Sequence, residues 1–228
     1  MATSKDNPFG DMRKLWLREP LKMQAALWPH VTFYDKQKEI IHSVRDNLET
    51  YVPAGNMLGK DFVSGFIVLW YFITHWRPPF DPRLPSGPEN IDANWVRIVT
   101  TSVTAAHLDV LWAEVNRFIG SAKFPLSAAK GGFLVSNKHL LRHIDEVNLS
   151  PDTGSYVKGL VAGVNAEGMQ GHHAEFNLLV IDEASGVCEE AYVMGMSWAK
   201  RALIIGNPHQ CANFFYRGVK EGDLILDG

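Results

Sequence analysis

Ala54-Gly55-Asn56-Met57-Leu58-Gly59-Lys60-Asp61 brings small residues, a lysine and a carboxylate together. Small residues let successive backbone N–H groups turn toward phosphate oxygens. A lysine at this spacing reaches the outer phosphates, and a helix starting behind it offers its positive N-terminal end. The segment reads as a Walker A-type loop for ATP, with the apolar residues behind Lys60 forming a buried helix. Two positions depart from the usual pattern. Ala54 replaces the first glycine, and Asp61 replaces the Ser or Thr whose hydroxyl ligates Mg²⁺. A carboxylate is also a hard oxygen ligand, but it adds negative charge beside the phosphates.

Leu178-Leu179-Val180-Ile181-Asp182-Glu183 is the second constellation. Four apolar residues suit a strand buried on both faces of a parallel sheet. The two acids then fall at its carboxyl end, where such sheets bind ligands. Adjacent carboxylates point different ways and can divide the work. Asp182 is expected to hold Mg²⁺ through water, with Asp61 as a second metal residue, and Glu183 to orient or deprotonate the attacking water. Together the two constellations make the halves of an ATP-hydrolysing site.

Three further segments can reach such a site. Gln37, next to Phe33 and Tyr34, carries an amide able to donate to and accept from an adenine edge. Thr100-Thr101-Ser102 ends a strand in hydroxyls before a helix, with Ser102 or Thr104 as its N-cap. Asn207, in Gly206-Asn207-Pro208, could touch the attacking water or the γ-phosphate. His172-His173 is a poor metal pair, since adjacent side chains diverge and no partner has ligand spacing.

The elements that position these residues follow from periodicity and turn residues. A short helix is expected over 12–28 and another over 35–50. The segment 50–59 reads as a short Gly-containing stretch, 60–76 as a buried helix and the proline-rich 77–94 as a surface loop. Strands are expected at 95–100, 156–164, 178–181 and 202–205, and a helix at 105–119. Gly131-Gly132 marks a turn, and 139–147 suits helix or strand equally. Strands alternating with helices give an α/β fold with a largely parallel sheet.

Composition narrows the classes. With 46% hydrophobic and 21% charged residues, the 228-residue chain can bury a core. A net charge of −3 excludes a polybasic tail or a wrapper that holds nucleic acid by bulk charge. Two cysteines exclude a disulfide scaffold. The longest apolar run, 62–76, is too short and too interrupted to span a bilayer, so a soluble, reducing compartment and no membrane partner are expected.

The block 166–174, Ala-Glu-Gly-Met-Gln-Gly-His-His-Ala, runs into 178–186, Leu-Leu-Val-Ile-Asp-Glu-Ala-Ser-Gly. With Ala202–Pro208 and Phe214-Phe215-Tyr216, it resembles the large terminase subunits of tailed bacteriophages. The likeness extends over roughly residues 28–220. It implies an α/β fold of the RecA-like P-loop NTPase kind, of the additional-strand (ASCE) type, with a mainly parallel central sheet flanked by helices. It divides the chain into an N-terminal arm, 1–30, and an ATPase domain, 31–228. It implies a motor that hydrolyses Mg-ATP to drive double-stranded DNA into a procapsid. Its partners would be the portal protein, the small terminase subunit and further copies in a ring, in the host cytoplasm. By position, Lys60 would contact the β- and γ-phosphates, Asp182 the Mg²⁺, Glu183 the water and Gln37 the adenine. Asn207 would sit in the coupling motif. Many relatives carry arginine in the loop where this chain has Asn56, so the charge-neutralising arginine is expected elsewhere, with Arg142, Arg97 and Arg201, of this or a neighbouring subunit, as candidates. No acidic triad follows Asn207, so the family's RNase H-like nuclease is expected to be absent and the chain to be an excised ATPase domain.

Two other readings share these residues. A helicase-type translocase uses the same loop, acid pair and glutamine, but needs a second RecA-like domain. A nucleotide-binding assembly module with weakened catalysis would account for Asp61.

Overall fold

The computed structural model describes residues 8–55, 58–77, 95–150, 152–162, 166–207 and 212–226. Two helices, α1 (Pro8–Arg18) and α2 (Pro20–Leu27), lead into α3 (Asp35–Asp46), β1 (Glu49–Pro53) and α4 (Lys60–His75). The middle of the chain forms β2 (Val96–Ser102), α5 (Ala105–Ser121), β3 (Leu134–Asn137), β4 (Leu140–His143) and β5 (Tyr156–Val161). It closes with β6 (Phe176–Ile181), α6 (Glu189–Met196), β7 (Ala202–Gly206) and α7 (Phe214–Leu226).

The seven-stranded sheet has the order β1-β7-β6-β2-β5-β4-β3. The first five strands in that order are parallel, and β4 and β3 close one edge as an antiparallel hairpin. Strand β7 lies between β1, which leads into the loop before α4, and β6, which ends before Asp182. That insertion is the additional-strand arrangement.

Helices cover both faces, and the pleat divides the core accordingly. Leu178 and Val180 of β6 pack with α4 and α5, whereas Leu179 and Ile181 pack with residues of α6 and α7. Every residue from Val63 to Thr74 of α4 is buried. This is why its sequence is apolar on all sides instead of showing one stripe.

Some expectations need correction. The helix expected over 12–28 is two helices, because Pro20 starts a new one and disfavours helical backbone at Glu19. Residues 49–53 are a strand that periodicity missed. As an edge strand paired only with β7, β1 leaves Glu49 and Pro53 exposed and lacks an apolar run. The ambiguous 139–147 resolves into β4 and a 3₁₀ turn, Ile144–Glu146. Helices α6 (Glu189–Met196) and α7 (Phe214–Leu226) carry no expectation from the sequence. Most of the proline-rich 77–94 lies outside the described residues.

Candidate active site

Parallel strands carry their carboxyl ends to one edge of the sheet. Here β1, β7 and β6 end there as neighbours, with Pro53 level with Gly206 and Ile204 level with Ile181. The backbone continues the ladder beyond the strands. The Ala54 N–H donates to Gly206 O at 2.8 Å, and the Asp182 N–H donates to Thr101 O at 2.9 Å. The loop before α4, Asn207 and the acidic turn therefore leave from adjacent strands.

Helix α4 starts at Lys60, directly after Gly59 at φ +65°. The backbone angle favours glycine there, and a Cβ would also lie 2.8 Å from Gln37 Nε2, the end of that side chain. The Lys60 ammonium donates to Glu183 Oε1 and lies 3.2 Å from Asp182 Oδ1. Burial works against that ammonium, but the hydrogen bond to Glu183 and the two carboxylate charges outweigh it, and the Lys60 pKa stands above its ordinary value. Burial pushes the Asp182 carboxyl up to about 6, with Asp61 and Glu183 adding to the shift and Lys60 opposing it. Burial likewise raises Asp61, against the attraction of Lys60. The Asp182 side chain is 3% exposed and that of Glu183 22%. Of the two acids, Glu183 is the one solvent reaches.

Glu183 adopts left-handed backbone, φ 52° and ψ 43°, at a cost of about 1–2 kcal/mol for a residue with a side chain. The surrounding structure holds it there. The Gly186 N–H donates to Glu183 O at 3.0 Å. The Asn213 amide donates to the carbonyls of Ala184, Ser185 and Val187 at 2.9, 3.2 and 3.3 Å. From the other side, a Cβ on Gly206 would meet Ala184 N at 2.8 Å, so the end of β7 rests against the acidic turn.

A cavity of about 550 Å³ opens over this cluster, lined by Gly59, Lys60, Asp61, His107, Val110, Asp182 and Glu183. A second, of about 590 Å³, shares Lys60 and runs along β1 between α3 and α7; Tyr34, Ile40, Val52, Leu58, Val63 and Val219 supply apolar walls.

Neither protein-family models nor the sequences of curated proteins give a match. Solved structures do. The large terminase ATPase domain of Thermus phage P74-26 superposes with TM-score 0.55 at 16% identity, over 82% of this chain and 69% of that one. The fold is shared with the ATPase domains of phage large terminases. The HK97 bacteriophage large terminase gives 0.57 at 15% identity, over 96% of this chain and 42% of that one. The large terminase of thermophilic bacteriophage D6E, in complex with ADP, gives 0.51 at 13%, over 78% and 39%. The chain thus spans less than half the length of the HK97 and D6E terminases.

Within this terminase-type fold the structure brings together Lys60, Asp61, Asp182 and Glu183. It puts Ala54, Gly55, Leu58 and Gly59 on the chain between β1 and α4, and Asn207 directly after β7. Asn56, Met57 and Pro208 lie outside the described residues.

Gln37 departs from its expected role. It is 4% exposed, its Nε2 donates to Gly59 O at 3.3 Å, and its Oε1 accepts from the Tyr34 N–H at 3.4 Å. Its amide ties α3 to the phosphate loop instead of facing a base. The three arginine candidates also depart. Arg97 donates to the carbonyls of Gly154, His173 and Asp152, Arg142 to those of Glu146, Leu149 and Ser150, and Arg201 to those of Val44 and Asn47. Arg97 and Arg201 stand at the amino ends of β2 and β7, across the sheet from the site. Each guanidinium is held by backbone carbonyls of nearby turns and strand ends. Thr100 Oγ1 accepts from Trp112 Nε1 at 2.9 Å, and Thr104 caps α5. His172 bonds Tyr156 OH and Gly168 O, consistent with a structural histidine.

Sequence reasoning missed His107 and Asn213. His107 could have been found by following the Thr100–Thr104 corner one turn into α5. Asn213 carried no signal, because its partners are backbone carbonyls 26–29 positions away.

Among the described residues no helix is long and apolar enough to cross a membrane, and no three His, Cys, Asp or Glu gather as a metal site.

Proposed function

We propose that this chain is an ATPase motor domain that hydrolyses Mg-ATP to move double-stranded DNA into a viral procapsid. The observation that carries the proposal is the convergence of Lys60, from the start of a buried helix, with Asp182 and Glu183, from the end of a buried strand. The terminase-type fold, one example of which was solved with ADP, supports it.

In this reading the backbone N–H groups ahead of α4 and the Lys60 ammonium hold the β- and γ-phosphates. The base enters the apolar groove between α3, β1 and α7. Asp182 and Asp61 suit Mg²⁺ by their chemistry. Asp182 Oδ1 is buried, with the Lys60 ammonium 3.2 Å away, and Mg²⁺ in nucleotide sites takes one or two carboxylates, with substrate oxygens and water completing the shell. A bound Mg²⁺ would neutralise phosphate charge. Glu183, the more exposed acid, accepts the proton of the attacking water and orients it. Asn207, directly after the strand between loop and acid, passes the state of the γ-phosphate along β7.

An ATPase domain over 31–228, with the arm before it, belongs to the same proposal, as do the ring of copies, the portal and the small subunit as partners, and the host cytoplasm as location. The test is phosphate release from Mg-ATP by the wild type and by Lys60→Ala. Loss of one donor to the reacting phosphates should lower the rate by about 100-fold or more. ATP binding without phosphate release by the wild type would instead support the binding-module reading.

A further inference from the structure

The cavity over Lys60 has an electrostatic shortfall. Three carboxylates, Asp61, Asp182 and Glu183, face one ammonium. A transferring phosphoryl group spreads negative charge over three equatorial oxygens, and one metal ion with one lysine leaves that charge under-compensated. Arg97, Arg142 and Arg201 are bound to carbonyls elsewhere. Among the residues lining this cavity, His107 is the remaining side chain that can donate a hydrogen bond to an anion or carry positive charge.

Its position suits the task. His107 lies in the first turn of α5, a 17-residue helix whose N-cap, Thr104, accepts from the His107 N–H at 3.3 Å. The backbone is thereby fixed, while the imidazole stays exposed and forms no hydrogen bond or ion pair with a described residue. It is near enough to Asp61 to stabilise that carboxylate electrostatically. Helix α5 leaves the end of β2, the strand next to β6, where Thr101 pairs with Ile181. Directly before that exit, the hydroxyls of Thr101 and Ser102 are fully buried and have no hydrogen-bond partner. Both are fully buried and line neither cavity, so His107 is the polar side chain of this corner that faces the one over Lys60.

We infer that His107 is a catalytic residue, donating from the α5 side to the γ-phosphate opposite Lys60. It supplies within this chain the contact expected from an arginine. The inference rests on the ATPase reading above and adds a residue to it. In the reaction His107 donates a hydrogen bond only; the proton of the attacking water goes to Glu183, and the β–γ bond breaks toward ADP.

The experiment compares wild type, His107→Ala and His107→Arg. It measures binding of Mg-ADP and of Mg-ADP with aluminium fluoride, which mimics the transferring phosphoryl, together with steady-state hydrolysis. His107→Ala should bind Mg-ADP as wild type does, bind the aluminium fluoride complex at least about 10-fold more weakly and lose kcat with little change in KM. His107→Arg should recover part of both losses. Equal binding of the aluminium fluoride complex by wild type and His107→Ala, with equal kcat, overturns the inference alone. A wild type that binds neither nucleotide species overturns the ATPase reading and this inference with it.

Discussion

The ammonium of Lys60 donates a hydrogen bond to the carboxylate of Glu183, 123 positions later in the chain. The residue read as the phosphate contact is thus held by the residue read as the water-activating base. In the proposed reaction the γ-phosphate competes for that ammonium. Nucleotide binding frees Glu183 toward water at the step that needs it. The same pair explains how a buried lysine keeps its charge without nucleotide.

Gln37 gives a prediction that separates its observed from its expected role. An adenine reader would lose discrimination between ATP and GTP when changed to alanine. A tie between α3 and the phosphate loop would not. Gln37→Ala should raise KM for both nucleotides alike and cost about 1–2 kcal/mol of stability, because the Tyr34 N–H loses its side-chain acceptor and Gly59 O keeps only the Val63 N–H. Competition assays with both nucleotides, beside urea unfolding, measure these effects.

The contact between β7 and the acidic turn gives another. Gly206→Ala places a methyl group 2.8 Å from Ala184 N, and backbone on both sides has little freedom to yield. The variant should lose about 1–3 kcal/mol of stability. Its hydrolysis should fall further than its nucleotide affinity, since the displaced segment carries Glu183. The ratio of kcat to ADP affinity reads this directly.

How far the sequence revealed these relations depended on the kind of signal. Helix α4 and strands β2, β6 and β7 were legible because burial on all sides leaves apolar runs. Lys60, Asp182 and Glu183 were legible because they end such runs. Strand β1 was hidden because an edge strand needs no apolar run, and α6 because its eight residues are too few to establish a period. The hydrogen bonds of Gln37 and of the three arginines were not legible, for one shared reason. Residue type shows what a side chain can bond, but buried carbonyls distant in sequence decide what it does bond.

His75 makes a prediction about acid stability. It ends α4, its ring stacks on Tyr71 at 3.8 Å between centroids, and Nδ1 lies 2.9 Å from Tyr71 O. Burial lowers its pKa from 6.5 to about 4; the bond to Tyr71 O opposes this, and the charges of Arg201, Arg77 and Arg13 reinforce it. The unfolded chain therefore takes up a proton below pH 6.5 that the folded chain refuses until about pH 4. This contribution is intact above pH 6.5 and fades as pH falls, by about 3 kcal/mol at pH 4. Urea unfolding from pH 7.5 to 4 should show wild type losing that much more stability than His75→Phe, which retains the stack without the titrating nitrogen.

The central claim is that Lys60, Asp182 and Glu183 form an ATP-hydrolysing site with Glu183 as its base. The most direct test is Glu183→Gln, which keeps shape and hydrogen bonding but removes the proton acceptor. ATP binding and phosphate release should be measured on the same preparation. Binding of Mg-ATP at wild-type affinity, with phosphate release lowered by about 100-fold or more, is the predicted result. Phosphate release by Glu183→Gln at the wild-type rate would contradict it.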